Sequence, residues 1–254
     1  MMKTSRFAGL ILAALVLGVA LGAGWMALRH PQKQAAGLDA AQVEKVVAGY
    51  LHDHPDAVFA ALQAYQKRQD AAAAETARAT IKAAAAELLH DQSTPVGGNP
   101  VGDVTVVEFF DYQCPYCKAV APDLAKALAA DGKIRMVYKE FPILGPASIT
   151  AAKAALAAQA QGKYVAFHDQ LIAFKGHLSN DDVFAIAATV GLDVARLKAD
   201  MEKPEIRAAI KRNYELADKL NIQGTPAFII GGEMLPGAAS LDELTAAVKR
   251  ARKG

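Results

Sequence analysis

Apolar positions along this 254-residue chain change period several times, and each change marks a different kind of element. Residues 7–28 form an uncharged apolar run behind Lys3 and Arg6, closed by Arg29, His30 and Pro31. A run of that length is either an export leader or a membrane anchor. Trp25 suits the membrane interface, and Ala20, Gly22, Ala23 and Gly24 offer cleavage points of which no one stands out. A cleaved leader at 1–30 and a retained tether at 7–28 both stay open. In either case the positive residues keep the N-terminus cytoplasmic and place the remainder across the membrane.

Apolar residues then recur at three-and-four spacing, first at Val43, Val46, Val47, Tyr50 and Leu51, and again at Val58, Phe59, Leu62 and Tyr65. This is the period of an amphipathic helix. Pro55 interrupts it and fits the first turn of a new helix, with Asp53 or His54 available as the cap. The pattern predicts two helices with a bend at 52–56, the second continuing through the alanine-rich tract at 70–89. This arm, residues 38–90, has too few large apolar residues to form a core, so its stripe needs a partner. Further copies of the chain would give a coiled-coil-like stalk. Folding back on the next domain, or serving as a solvated spacer helix, are the alternatives.

Residues 91–102, with Pro95, Gly97, Gly98, Asn99, Pro100 and Gly102, have the composition of a linker. A domain at 103–254 follows, within the usual single-domain size. Strand-like runs at 104–110 and 133–140 flank a helical pattern at 115–130. A helical insertion at about 147–220 is broken near Gly162, Gly176, Gly191 and Pro204. Residues 227–230 and 233–235 form a hairpin about Gly231 and Gly232. A last helix at 241–252 starts with Ser240 and Glu243, which match a capping box.

Charge adds little: the formal net charge is +2, and no basic cluster with interleaved aromatics is found, which argues against a nucleic-acid partner. Cysteine adds a great deal. Cys114 and Cys117 are the only two, in the segment Cys114-Pro115-Tyr116-Cys117 between a strand pattern and a helix pattern. A disulfide across so short a loop removes little entropy from the unfolded chain, so it is no staple. Structural zinc takes four ligands, and the pair supplies two. His168 and His177 are too far apart for a finger, and His52 and His54 lie far upstream. Redox chemistry is the leading reading, in a compartment where disulfides persist. Two soft thiolates leave Cu(I) as the remaining metal candidate, at Cys114 and Cys117. No resident cofactor beyond the cysteine pair is expected.

The segment Val107-Glu108-Phe109-Phe110-Asp111-Tyr112-Gln113-Cys114-Pro115-Tyr116-Cys117-Lys118 closely resembles the active-site segment of DsbA-like thiol-disulfide oxidoreductases. The stretches Tyr138-Lys139-Glu140-Phe141-Pro142-Ile143-Leu144-Gly145 and Gly224-Thr225-Pro226-Ala227-Phe228 resemble that family as well. The resemblance implies an α/β thioredoxin-like fold with a helical insertion, here preceded by an α-helical oligomerisation arm. Within the family, His54-Pro55-Asp56-Ala57-Val58 and Ala61-Leu62-Gln63-Ala64-Tyr65-Gln66 look most like the suppressor-of-copper-sensitivity C proteins. Those relatives imply a periplasmic disulfide isomerase whose N-terminal helices build a trimer.

At the start of its helix, Cys114 meets unpaired backbone N–H groups and the positive end of the dipole, which favour a thiolate nucleophile. Cys117 would resolve the mixed disulfide. Pro115 suits the first turn, and Tyr116 tunes the surroundings without the positive charge that histidine brings in strongly oxidising relatives. The resemblance gives Glu108 the role of a buried acid moving protons to and from Cys117. It also implies a cis Thr225-Pro226 opposite the thiols, making Thr225 and Pro226, with Pro115 and Tyr116, substrate-binding candidates. His168 is expected to be a packed or capping residue. Lys139 and Glu140 are expected to be one solvated and one paired residue, with extension of the polar network as the alternative.

The expected activity is thiol-disulfide exchange in the periplasm, as an isomerase or reductase for exported proteins with non-native disulfides. A membrane thiol reductase of the DsbD or ScsB type would keep it reduced. A DsbA-type dithiol oxidase and a Cu(I)-binding copper-tolerance protein are the alternatives.

Overall fold

The computed structural model describes residues 39–253, so the apolar run at 7–28 lies outside the described residues. Among the described residues no helix is long and apolar enough to cross a membrane. They divide into two compact units that meet between Gln66 and Lys67.

In the first unit, α1 (Ala40–Asp53) begins at Asp39, whose carboxylate accepts from the Gln42 backbone N–H at 2.7 Å. The Gln42 side chain accepts from the Asp39 N–H in return, so two donors that a helix start leaves unpaired are satisfied. His54 leaves helical geometry, and α2 (Pro55–Ala83) restarts with Pro55 in its first turn, where the sequence places the bend. No residue of α1 is buried, and Val46, Tyr50, Phe59 and Leu62 are 56–63% exposed. The stripe is uncovered in a single copy of the chain.

In the second unit, the end of α2 leads through α3 (Ala85–Leu89) and β1 (Val96–Gly98) into β2 (Val104–Phe110). Then α4 (Pro115–Asp131) crosses over to β3 (Ile134–Glu140), as the parallel pairing of β2 with β3 requires. The insertion contains α5 (Pro146–Ala158), α6 (Tyr164–Ala173), α7 (Asn180–Thr189), α8 (Val194–Asp200) and α9 (Pro204–Lys219). The antiparallel hairpin of β4 (Ala227–Ile230) and β5 (Glu233–Pro236) and a final α10 (Leu241–Ala251) complete the unit. The sheet order is β1-β3-β2-β4-β5, with β1 and β4 antiparallel to their inner neighbours.

Alternation along the two central strands sorts their side chains between two cores. Val104, Val106, Phe110, Ile134, Met136 and Tyr138 join one core with residues of α4, the insertion and α10. Val107, Phe109 and Val137 join the other with Leu216, Leu220, Ile222 and Ile229. Ile81, Ala84 and Leu88 belong to this second core. The tract expected to be one arm through residue 90 therefore has two fates, because its last turns bring large apolar residues that the sheet can cover. Burial of Ile81 and Leu88 contributes about 1.5–3 kcal/mol each.

The segment 91–102 also departs from its expectation as a linker. Val96, Gly97 and Gly98 pair with Val137, Met136 and Arg135 as an edge strand. A Cβ on Gly97 would lie 2.9 Å from the Tyr138 ring, and one on Gly98 would lie 2.5 Å from the Ile134 carbonyl oxygen. The glycines that gave a linker-like composition are what let the two backbones approach.

Lys139 and Glu140 also depart from the sequence reading: both are buried, on opposite sheet faces. Lys139 Nζ donates to the Glu87 carbonyl and to Thr94 Oγ1, each at 2.8 Å, tying β3 to the end of α3. Glu140 accepts from Tyr164 at 2.7 Å and from Tyr112 at 3.0 Å. Burial keeps its carboxyl protonated well above the ordinary range, and its second oxygen, Oε2, is buried without a partner.

Candidate active site

β2 ends at Phe110 and α4 begins at Pro115, so the four residues between them have to turn the chain and present the first thiol. Asp111 organises this turn. Its carboxylate, itself buried, accepts from the backbone N–H of Gln113 (2.7 Å), the N–H of Leu144 (2.9 Å) and the hydroxyl of Ser148 (2.7 Å). Gln113 ties the turn to the insertion, donating to the Leu178 carbonyl at 2.6 Å and accepting from the Leu178 N–H at 3.0 Å. Lys118 adds a third tie, from Nζ to the Gly176 carbonyl at 2.8 Å.

Cys114 is the N-cap of α4, with extended backbone geometry, and its Sγ accepts from the Cys117 N–H at 3.4 Å. Pro115 occupies the first helical turn, where the missing N–H is not needed. Cys114 Sγ also lies 3.2 Å from the Thr225 carbonyl, to which the thiol donates. Only the protonated thiol can make that last bond, but bonds that favour the thiolate outweigh it and pull the pKa from 9.0 down to about 5. The largest cause is a hydrogen bond from the Cys117 thiol, followed, after opposing desolvation, by the Thr225 side chain and the backbone N–H groups of Cys117 and Tyr116. Cys117 is fully buried, and burial first, then its bond to Cys114, pushes its thiol far upward. The two sulfurs thus have opposite states at neutral pH: an ionised outer nucleophile and a protonated inner thiol. Both are free thiols.

Glu108 lies six residues before Cys114, on the β2 face shared with Val106 and Phe110. It is 4% exposed, opposite Tyr138 on β3 and Phe228 on β4. Burial, and secondly the negative Cys114, raise its carboxyl from 4.5 to about 8. Glu108 is coupled electrostatically to both sulfurs, although no hydrogen bond to them is formed. The Thr225-Pro226 bond is cis, and Pro226 is buried beside the thiols' contact on Thr225. Pro115 and Tyr116 form an exposed rim, Tyr116 being 65% exposed.

The fold thus brings Cys114 into direct contact with both Cys117 and Thr225, sets Pro226 next to Thr225, and buries Glu108 nearby. Asp111, Gln113, Lys118 and Ser148 had no counterpart in the sequence reading. Asp111 and Gln113 were visible only as neighbours of the cysteine pair, and their partners at 144, 148 and 178 come from distant sequence. His168 is a packed residue: it is buried, its Nδ1 lies 3.0 Å from the Tyr112 hydroxyl, and burial lowers its pKa to about 3. Among the described residues no group of three or more histidine, cysteine or acidic side chains is placed to hold a metal ion.

Comparison with known proteins extends the picture beyond this geometry. The model of the DSBA-like thioredoxin domain matches residues 105–249. A thioredoxin-like oxidoreductase from Silicibacter pomeroyi DSS-3 is 48% identical, with a TM-score of 0.65, covering 66% of this chain and 98% of its own. Proteus mirabilis ScsC, in a structure described as a transitional conformation, is 29% identical with a TM-score of 0.64, covering 84% of this chain and 98% of its own. Among curated proteins, a Na(+)/H(+) antiporter NhaA 1 of Salinispora arenicola is 33% identical over 161 residues, 63% of this chain. The chain spans only 25% of that relative's length.

Proposed function

The chain belongs to the DSBA-like thioredoxin-domain family of thiol-disulfide oxidoreductases, and we propose that within it the protein is a periplasmic disulfide isomerase and reductase for misoxidised exported proteins. One observation carries the choice: the apolar stripe of α1 and α2, uncovered in a single chain, suits a stalk that joins several sites. Linked sites act on one client at high effective concentration. A trimer, as the resemblance implies, is the expected assembly.

The Cys114 thiolate attacks one sulfur of a client disulfide, and the client's other sulfur leaves as a thiolate. An extended client segment would pair with the backbone at Thr225, beside Pro226, while Pro115 and Tyr116 meet its side chains. The freed client thiolate attacks a second client disulfide, and a later client thiolate attacks the mixed disulfide and regenerates the Cys114 thiolate. No net electrons are transferred in this cycle. When the client stalls, Cys117 gives its proton to Glu108 in its carboxylate form and attacks Cys114 Sγ. The client leaves reduced, and a membrane thiol reductase of the DsbD or ScsB type returns the Cys114–Cys117 disulfide to the dithiol.

The depressed pKa of Cys114 supports a second reading, because a stabilised reduced form makes the disulfide a stronger oxidant. A DsbA-type oxidase would then donate that disulfide. Cu(I) held by the two sulfurs is the third reading. The test is refolding of a scrambled-disulfide substrate by the full chain and by a Val47→Glu/Leu62→Glu variant, with solution mass measured for both. The isomerase reading expects an oligomer that reshuffles disulfides and a variant that is monomeric and slower. A monomeric parent chain, or a variant of undiminished activity, overturns it. A reduction potential and a Cu(I) titration separate the other two readings.

A further inference from the structure

Glu108 takes up a proton each time Cys117 resolves a mixed disulfide, and that proton has to leave a side chain buried beneath the site. A cavity of about 350 Å³ lies between α4 and α6 and reaches it. Glu108, Tyr138 and His168 line its buried end. Pro122 and Ala125 of α4 and Asp169 and Ala173 of α6 line it where the residues are exposed, and Lys118 and Ala121 stand between. Asp169 is the one carboxylate lining this cavity besides Glu108.

We infer that this cleft is the proton port of Glu108, and that Asp169 at its mouth is a positioning residue that hands the proton between the cleft water and bulk solvent. The inference rests on the assignment of Glu108 as the acid of the resolving step. The chemistry balances within that step. Glu108 carboxylate takes the Cys117 proton, the Cys117 thiolate forms the bond to Cys114 Sγ, and the client sulfur leaves with the electron pair of the broken bond. Glu108 then releases its proton along the cleft to Asp169 and water, and is again a carboxylate for the next turnover.

The charged and titratable surroundings of Glu108 favour this route. Cys114 and Cys117 at the start of α4 and Glu140 on β3 are coupled to it electrostatically; Lys118 of α4, Tyr138 of β3, and His168 and Asp169 of α6 share its cavity; β4 contributes the apolar Phe228. Burial holds Tyr138 protonated and His168 neutral through the physiological range, so neither carries the proton onward. Burial also raises Asp169, bringing it nearer to Glu108 as a proton acceptor. Lys118 is held by the Gly176 carbonyl and supplies a fixed positive charge on the cleft wall.

An aryl disulfide probe, bis(nitrobenzoate) disulfide, releases one coloured thiolate when Cys114 attacks and a second when Cys117 resolves. Stopped-flow mixing with the reduced full chain reads both phases from pH 5 to 9. Asp169→Asn, and separately Ala121→Leu, which narrows the cleft, are expected to slow the second phase at least about threefold at pH 6–7, leaving the first unchanged. Asp169→Glu is expected to restore it, which a merely structural effect would not do. Glu108→Gln is the reference, and should slow the second phase and flatten its pH profile. A slow Glu108→Gln second phase with unchanged Asp169→Asn and Ala121→Leu profiles overturns the port while keeping the acid. An unchanged Glu108→Gln profile overturns both.

Discussion

Replacing Cys117 by alanine removes the largest single contribution to the ionisation of Cys114. At a pKa of about 5 the outer thiol is about 99% ionised at pH 7, against about 1% for a thiol left at 9.0. A hydrogen bond to a charged group contributes about 1.5–3 kcal/mol, or about one to two pK units. Cys117→Ala is therefore expected to move the midpoint to about 6–7, because the Thr225 side chain and the backbone N–H groups of Cys117 and Tyr116 still favour the thiolate. The sign is that of a depressed acid: reactivity is present above the midpoint and lost as pH falls through it. The assay is the pH dependence of iodoacetamide alkylation of the reduced protein. The buried, protonated Cys117 of the parent chain should not interfere. Cys117→Ser, which keeps a donor, should fall between the two. A parent midpoint near 9, or a midpoint unmoved by Cys117→Ala, would refute the assignment of the inner thiol as the main support of the thiolate.

Glu108→Gln should stabilise the protein at neutral pH. A carboxyl raised from 4.5 to about 8 contributes stability in full below 4.5 and loses it as pH rises to 8, which amounts to about 3 kcal/mol by pH 7. Urea midpoints of parent and variant should coincide near pH 4 and separate by pH 7; parallel curves would contradict the burial argument. Tyr164→Phe removes the shorter bond to Glu140 and is expected to cost about 1–2 kcal/mol in urea denaturation, without moving the alkylation midpoint of Cys114. Gln113→Ala cuts both bonds to Leu178, so limited proteolysis near the exposed Gly176 should speed up at least about threefold; an unchanged cleavage rate would mean the loop is held by other contacts.

The sequence carried the elements whose signals are local. Strand-like runs marked 104–110 and 133–140, one residue longer than the observed Ile134–Glu140; Pro55 marked the break between α1 and α2, and Ser240 with Glu243 marked the start of α10. The site's reactive half was equally local, because the nucleophile, the proline after it and the inner thiol lie within one helical turn. Other features depend on partners that no local window contains. Gly97 and Gly98 have the same composition in a linker as in an edge strand, and only the Tyr138 ring and the Ile134 carbonyl decide between them. Lys139 gives no sign in the sequence that the Glu87 carbonyl awaits its ammonium group. The stripe of α1 and the root at Ile81, Ala84 and Leu88 were read as one helical arm, and it is the packing of that root with sheet residues such as Val107 and Phe109 that sets it apart.

That root makes the helix carrying the stripe a wall of the domain as well. A cut at 91–102, where composition invites one, would strip cover from Val107, Phe109, Val137 and Ile229, so the piece that can be removed without opening the core ends at Gln66. Fraying of the chain between Ile81 and Leu88 is thus an injury to the fold itself. A protease that clipped there would take away part of that cover, leaving Leu216, Leu220 and Ile222 to shield the same face, and would weaken the domain rather than merely detach its arm.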